Sequence, residues 1–480
     1  MRAVAAVAAP WPLNEIQGLI ISGYRADFAR HFALSIADGQ AEAARAFVLG
    51  LTQPGWLTIT TAKQWTTKPN PCLNLAFTYR GLQNLGVPAD SLAIFTGDSQ
   101  HRDSNYVPFG QGTKARAATY LNDPDSNGWA FSDSDFDLLL SIWTDDAAMC
   151  DRVTDHIRAL TPGTFAELPP ERMLDGHAFE DNSVYFGLED NIAQPIIRGS
   201  PVLRLPDGGQ DPVDPSAFLI GTGSNIYQAK SFTPERLGRY GCFAGFLQLQ
   251  QHEEEFHAQV AALAPQMAAY GVDDDEMQKQ TVTASMCGRW PNGVSLAVYP
   301  VQGDSPPPKF DKATANDFLY VLADGGAADE GSVCPIGSHM RRANMRLRKA
   351  DPPFPGGAFP GVPSSDHRIM RRAMPYQNPY MENDRHNPST ERGLVGLFLG
   401  TSLLKQFEQV FGSWINGSFF TDLETDDALI GANDPVVLTV PGASQPTIGN
   451  PPTVTSCVTT KAAAYVFYPC IDAIRFISGE

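Results

Sequence analysis

Basic residues are scarce in this chain of 480 residues. The 35 Lys and Arg are outnumbered by 53 Asp and Glu, which gives a formal net charge of −18, and charged residues of both signs make up only 18% of the sequence. Binding to nucleic acid depends on dense clusters of Lys and Arg that contact phosphates. Because no stretch of the sequence has such a density, we exclude nucleic acid as a partner.

Closely spaced cysteines and long apolar runs are also missing. The seven cysteines are widely separated, odd in number and without a CxxC pair, which argues against a disulfide scaffold and favours a reducing compartment. The apolar run at 393–404 has about 12 residues, whereas a membrane span needs about 20. The start MRAVAAVAAP is too small for a convincing signal peptide. We expect a cytoplasmic protein that is not embedded in a membrane, and we leave secretion and homo-oligomer formation open.

Several common catalytic motifs are absent. The sequence has no G-x-S-x-G nucleophile elbow, no P-loop and no Rossmann glycine fingerprint. The segment HEEEFH at 252–257 contains two histidines five residues apart. On a helix these point about 140° apart, so they cannot bind one zinc ion as the i, i+4 pair of a metalloprotease does.

What the chain does contain indicates a large α+β protein. Hydrophobic residues make up 43%, and 42 Gly and 38 Pro indicate many loops around a sizeable core. Strand and helix patterns alternate without the regularity of a parallel sheet. The predicted elements are a helix over 25–49, a strand over 72–77 followed by a helix over 78–85, a strand over 137–142 followed by a helix over 145–160, and strand–helix pairs within 241–256 and 457–477.

Three segments combine residues that can do chemistry: FGLEDNIAQP with Asp190, CPIGSHMRRANMR with His339, and DHRIMRRAMPY with Arg371. Each has an ordinary structural explanation when taken alone. An Asp in a Gly turn usually caps backbone amides, a His before a basic helix can be structural, and an Arg pair is most often solvated.

Together the segments resemble the dye-decolorizing peroxidases, in particular the longer fungal-type members. The family's GxxDG motif matches Gly187 and Asp190, with Asn191 in place of the second glycine. The family's pattern H-x-R-x-x-N-x-R matches at His339, Arg341, Asn344 and Arg346, and its pattern R-R-G-x-P matches at Arg371, Arg372 and Pro375. Two positions depart from the family: Ala373 replaces the usual glycine, and Met345 replaces the usual proline. Further similar stretches at 14–20, 72–88, 391–416 and 461–471 follow the family's order. Asn tolerates a left-handed turn better than other residues with a Cβ, so we expect the Asp190 loop to keep its shape.

The resemblance implies two ferredoxin-like domains with antiparallel sheets and peripheral helices, at 1–228 and 229–480. The cavity for haem b (iron protoporphyrin IX) is expected mainly in the second domain, with the Asp190 loop contributed by the first. It also implies that His339 is the axial ligand of the iron. A ligating His normally donates its other N–H to a carboxylate or a carbonyl. We assign Glu391 to that role, with a backbone carbonyl as the open alternative, and place Asn344 in the same surroundings.

On the opposite face the resemblance implies that Asp190 and Arg371 are catalytic. Asp190 would move a proton between the two oxygens of hydrogen peroxide, and Arg371 would stabilise the negative charge on the departing oxygen. Arg341, Arg346 and Arg371 would bind the cofactor, with Arg341 or Arg346 pairing with its propionates and Arg371 lying over the iron. The implied reaction reduces hydrogen peroxide and oxidises dyes or phenolic compounds in one-electron steps. Because a free aspartate has a pKa near 3.9 and histidine one near 6.5, we expect activity in acid. The alternative is a haem-binding or haem-handling protein with little turnover.

Overall fold

A computed structural model describes residues 11–480, apart from 99, 102–103, 124, 168, 170–172, 202–211, 225–230, 321–330, 333, 345, 347–366, 382, 418–425, 432–434 and 443–451. The predicted domain boundary at 228 lies outside these residues, and so does Met345, where the sequence differs from the family motif.

The described residues form an α+β structure with eleven strands and twelve α-helices. The strands are β1 Phe28–Ile36, β2 Cys72–Phe77, β3 Leu138–Thr144, β4 Phe165–Glu167, β5 Leu174–His177, β6 Cys242–Gln251, β7 Met370–Asn378, β8 Glu391–Gly400, β9 Val436–Val437, β10 Thr453–Val454 and β11 Val458–Tyr468. The α-helices are α1 Gly18–Ile21, α2 Ala41–Gly50, α3 Tyr79–Asn84, α4 Ala89–Leu92, α5 Val107–Gln111, α6 Thr113–Arg116, α7 Ala147–Leu160, α8 Glu235–Gly238, α9 Glu253–Leu263, α10 Asp275–Cys287, α11 His339–Ala343 and α12 Ile471–Ile477. Helical segments of other types include the 3₁₀ segment Ala264–Tyr270 and the π-helix Leu403–Ile415.

The sheet topology confirms the predicted pair of ferredoxin-like halves. In the N-terminal half the antiparallel order is β2-β3-β1-β5, and in the C-terminal half it is β7-β8-β6-β11. Counted along the chain without β4, β9 and β10, each half has four strands. The fourth of these strands lies beside the first, and the third lies between the first and the second. The halves join at both edges, where Phe77 of β2 is opposite Phe467 of β11 and Gly176 of β5 is opposite Tyr376 of β7. These eight strands form a closed ring, with β4 added to the end of β1.

The predicted helix over 25–49 is wrong in its first part. Phe28–Ile36 is strand β1, and the helix α2 starts only at Ala41. Six of the nine β1 residues, the run from Ala29 to Leu34, are buried. A strand covered on both faces loses the alternation of apolar and polar residues that identifies a strand in a sequence. The strand predictions near 72, 137, 241 and 457 are confirmed, as are the helices that follow them.

Two apolar layers cover the two faces of the strands. In β2, Leu73, Leu75 and Phe77 belong to the layer that packs against α2 and α3, whereas Cys72 and Ala76 belong to the layer inside the ring. This division follows the period of two of a β-strand. All seven cysteines are free thiols. Among the described helices, none combines the length and apolar composition required to cross a bilayer.

Candidate active site around His339, Asp190 and Arg371

His339 is the first residue of α11, and its ring is held by a buried carboxylate. Its Nδ1 lies 2.9 Å from Oδ2 of Asp427, whose side chain has no solvent exposure. The other oxygen of Asp427 accepts the backbone N–H groups of Leu429 and Ile430, at 2.9 and 3.0 Å. Because an ionised carboxylate only accepts hydrogen bonds, Nδ1 carries the proton and Nε2 keeps its lone pair for a ligand.

The assignment of Glu391 as the partner of His339 is wrong. Glu391 begins β8, where it accepts hydrogen bonds from Gln248 at 3.0 Å and Tyr376 at 2.9 Å, and it lies 3.2 Å from Lys461 Nζ. The open alternative, a backbone carbonyl, is not the partner either. Asp427 is 88 residues from His339 in the chain, and no spacing rule in the sequence connects the two positions.

Asn344 follows α11, and its backbone N–H donates to the carbonyl of Met340 at 3.2 Å. Within the described residues its side chain makes no hydrogen bond to His339 or Asp427. The predicted place of Asn344 beside the ligand therefore stays a prediction.

Asp190 and Arg371 come from different halves of the chain and meet as an ion pair. Arg371 Nη2 lies 3.2 Å from Asp190 Oδ1, and the two side chains are 37% and 34% exposed, which leaves both accessible to a small substrate. Arg371 lies on β7, where its backbone N–H donates to the side chain of Gln194 at 3.0 Å. On the next position of the strand, Arg372 is buried and donates to the carbonyl of Leu19 at 2.7 Å.

The Asp190 loop keeps a left-handed turn despite its missing glycine. Asn191 has φ +58° and Gly187 has φ +70°, so the asparagine adopts the conformation expected of it. The backbone N–H of Asp190 donates to the carbonyl of Asn182 at 2.9 Å, which anchors the loop at the residue that carries the carboxylate. The substitution of Asn for Gly therefore preserves the left-handed backbone of the loop.

Arg341 and Arg346, the two predicted cofactor-binding arginines of the His339 segment, are both buried. Arg341 donates to the carbonyl of Cys334 and lies with its Cζ 5.0 Å from the centre of the Tyr320 ring. Arg346 donates to the carbonyl and side-chain oxygens of Asn316, at 3.2 and 2.8 Å. Their burial close to α11 fits a role inside a cofactor cavity rather than on the surface.

No family model matches the chain. A dye-decolorizing peroxidase of Mycena epipterygia is 27% identical over 388 residues, which is 78% of this chain and 66% of the relative's length. A dye-decolorizing peroxidase of Exidia glandulosa is 26% identical over 474 residues, which is 96% of this chain and 86% of the relative's length.

Solved structures agree with the sequence relatives. A fungal dye-decolorizing peroxidase from Auricularia auricula-judae superimposes with a TM-score of 0.76 at 23% identity, over 98% of this chain and all of the other. A dye-decolorizing peroxidase in complex with 2,6-dimethoxyphenol gives a TM-score of 0.75 at 23% identity, over 98% of this chain and 100% of the other. The chain therefore shares the double ferredoxin-like fold of these structures and is similar over most of its length to fungal dye-decolorizing peroxidases.

Proposed function

We propose that the protein is a haem-dependent peroxidase that reduces hydrogen peroxide and oxidises dyes or phenolic compounds, with haem b as its cofactor. The observation that carries the proposal is the ion pair of Asp190 and Arg371 at 3.2 Å, because it joins a proton acceptor to a fixed cation at a partly open site. The phenolic substrate class is supported by the relative that holds 2,6-dimethoxyphenol.

The residues around His339 fit a haem. His339 would offer Nε2 as a ligand of the iron, and the carboxylate of Asp427 on Nδ1 holds the ring in place for that role. The buried arginines Arg341 and Arg346 provide positive charge close to the same helix, which suits the two carboxylates of this cofactor. When bound, haem supplies a redox-active iron that takes up two oxidising equivalents and returns them one electron at a time.

The chain itself moves the protons and stabilises the charge. Asp190 accepts a proton from one oxygen of hydrogen peroxide and donates it to the other, which leaves as water. This transfer is general acid–base catalysis, which typically contributes about 10²–10⁴-fold to a rate. Arg371 lies beside the same carboxylate, where its permanent charge stabilises the negative charge that develops on the departing oxygen.

An absorption spectrum separates this function from haem binding or handling alone. Protein produced with supplementary haem should show a Soret band that changes within seconds of adding hydrogen peroxide and recovers when a phenol is supplied. A Soret band that does not respond to peroxide would support the haem-handling alternative. Absence of haem binding in a folded protein would contradict both functions.

Activity should be highest in acid. An aspartate remains deprotonated at pH values where a histidine in the same place would be protonated and unable to act as a base. A profile of the rate against pH, recorded with an electron donor that does not titrate between pH 3 and 8, should therefore peak well below pH 7. A maximum near neutrality would show that a different group accepts the proton.

Replacing Asp427 with Asn should weaken haem binding by about 10- to 100-fold, the range seen when the partner of a ligating histidine is lost. The backbone N–H groups of Leu429 and Ile430 hold one oxygen of residue 427 in place, so the new amide N–H₂ would face Nδ1 of His339. Nδ1 must then accept, and the ring proton moves to Nε2, where it blocks ligation. Titration of the apoprotein with haemin measures the effect. The paired variant Glu391→Gln should bind haemin like wild type, since Glu391 does not contact His339.

A further inference from the structure

Two buried arginines share one neutral oxygen atom beside the His339 helix. Arg289 follows α10 and is 5% exposed, and Arg346 follows α11 and is 4% exposed. Nη2 of Arg289 and Nη2 of Arg346 each donate to Oδ1 of Asn316 at 2.8 Å. Two guanidinium groups therefore converge on an acceptor that carries no charge.

Neither arginine forms an ion pair with a carboxylate among the residues that the structure describes. Arg289 donates otherwise to the carbonyls of Gly293 and Ala315, at 2.7 and 2.9 Å, and Arg346 to the carbonyl of Asn316. The buried Arg392, by contrast, lies 2.6 Å from the carboxylate of Glu253. Burying two positive charges side by side without an anion is unfavourable.

The protonation equilibria reflect the same crowding of charge. Burial, with a smaller contribution from the nearby charge of Arg289, lowers the pKa of Arg346 to about 9. Burial also lowers the pKa of Arg289, with a smaller contribution from Arg371 of the candidate active site. An anion placed between Arg289 and Arg346 would raise the pKa of both side chains.

Hydrogen-bond donors around the pair point to the same kind of ligand. Nε of Arg346 and the hydroxyl of Tyr320 are buried and have no acceptor within the described part of the chain. The ring of Phe318 covers both guanidinium groups, with its centre 5.6 Å from Cζ of Arg289 and 4.1 Å from Cζ of Arg346. Arg346 itself has φ +48°, a conformation that is uncommon for a residue with a Cβ and concentrates at functional sites.

The position of Arg289 connects the pair to the helix that begins with His339. Its neighbour Gly288 lies so close to α11 that an added Cβ would be 2.9 Å from Ser338 Oγ and 3.2 Å from Met340 Cβ, the residues on either side of His339. The arginine pair is therefore close to the histidine that would ligate the cofactor.

We propose that Arg289 and Arg346, held in place by Asn316, bind a carboxylate, and that this carboxylate is a propionate of the haem. This inference rests on the proposed function for the presence of haem, and it adds Arg289, which no motif indicates, to the cofactor-binding residues. A carboxylate has two oxygens that accept from forked guanidinium donors, and it neutralises the charge that the described residues leave unbalanced.

The test compares haemin with haemin dimethyl ester, which has the same ring but no free carboxylates, as ligands of the apoprotein. Arg289→Gln should weaken haemin binding by about 10- to 100-fold, the loss expected for hydrogen bonds to a charged group. The ester should bind wild type and Arg289→Gln with affinities within about threefold of each other. Arg152→Gln, which removes an exposed charge paired with Asp146, controls for the change in net charge and should leave haemin affinity unchanged. Arg289→Lys, which keeps the charge but not the fork, should lie between wild type and Arg289→Gln and serves if the glutamine variant does not fold.

Each result decides between the inference and its competitors. If haemin affinity is unchanged in Arg289→Gln and Arg289→Lys, or if both ligands lose affinity equally, Arg289 does not bind a propionate, although the peroxidase function stands. If succinate raises the unfolding temperature of the wild-type apoprotein but not of the variants, while haemin affinity is unaffected, the pair binds a free carboxylate and the propionate assignment is wrong. If folded wild-type protein does not bind haemin, the proposed function fails together with the inference.

Discussion

Replacing His339 with alanine is expected to abolish the Soret band of protein produced with haem and to reduce peroxidase activity to the level of free haemin. The imidazole is the group whose Nε2 is left available by the hydrogen bond between Nδ1 and Asp427. Without it the iron would lose its ligand from this helix, and only the remaining contacts, those of the buried arginines among them, would hold the cofactor. The measurement is the absorption spectrum of purified protein together with its haem content.

Rescue and control experiments separate ligation from misfolding. Imidazole added to His339→Ala should restore part of the Soret band, because a free imidazole can occupy the place of the side chain. His252→Ala should keep a full Soret band, since His252 lies at the start of α9 and contacts Thr459 at 2.8 Å. A His339→Ala variant with a normal haem spectrum and normal activity would show that another residue is the ligand.

Replacing Asp190 with Asn should leave haem binding intact and slow the reaction with hydrogen peroxide by about 10²–10⁴-fold, the usual contribution of a general acid–base group. The amide keeps the shape and the place of the side chain in its turn, but it cannot accept the proton. Stopped-flow absorption gives the second-order rate at which the resting spectrum is lost after mixing with peroxide.

The adjacent Glu189 offers a matched control. It is half-buried, and burial raises its pKa, so it is the neighbouring carboxylate that could compete for the role of base. Glu189→Gln should react with peroxide at the wild-type rate within about threefold. If Glu189→Gln is slow and Asp190→Asn is fast, the base has been assigned to the wrong carboxylate of the loop.

Predictions of individual elements succeeded where local signals were distinct. The strand at Cys72–Phe77 follows Pro71, and the helix after it is capped by Thr78, whose side chain accepts from the backbone N–H of Gly81. Such a cap acts over three residues and can be recognised in the sequence. The strand Phe28–Ile36 gave no such signal, because burial on both faces of the closed ring removes the alternation on which the prediction depends.

The proposed functional residues likewise divide into those that a local sequence pattern identified and those that only the fold brought to the site. Asp190, His339 and Arg371 lie in motifs, so resemblance to a family identified them before the structure showed Asp190 and Arg371 in contact. Asp427 and Arg289 lie in no motif. Their roles depend on which side chains the fold brings to His339 and to Asn316, and these partners are separated by up to 88 residues in the chain.

The amino-acid sequence by itself determined the α+β class and the resemblance of its motifs to those of dye-decolorizing peroxidases, since these depend on local periodicity and on short ordered patterns. The tertiary structure decided the closed ring of strands, the choice of Asp427 instead of Glu391, and the convergence of Arg289 with Arg346. The physical reason is that a hydrogen bond or an ion pair depends on distance in space, and loops of any composition can connect its two partners. Basic residues are scarce in this chain, yet two of the 35 Lys and Arg are buried and donate to the same oxygen of Asn316, with no carboxylate paired to them among the described residues. This placement is the basis of the proposed carboxylate site.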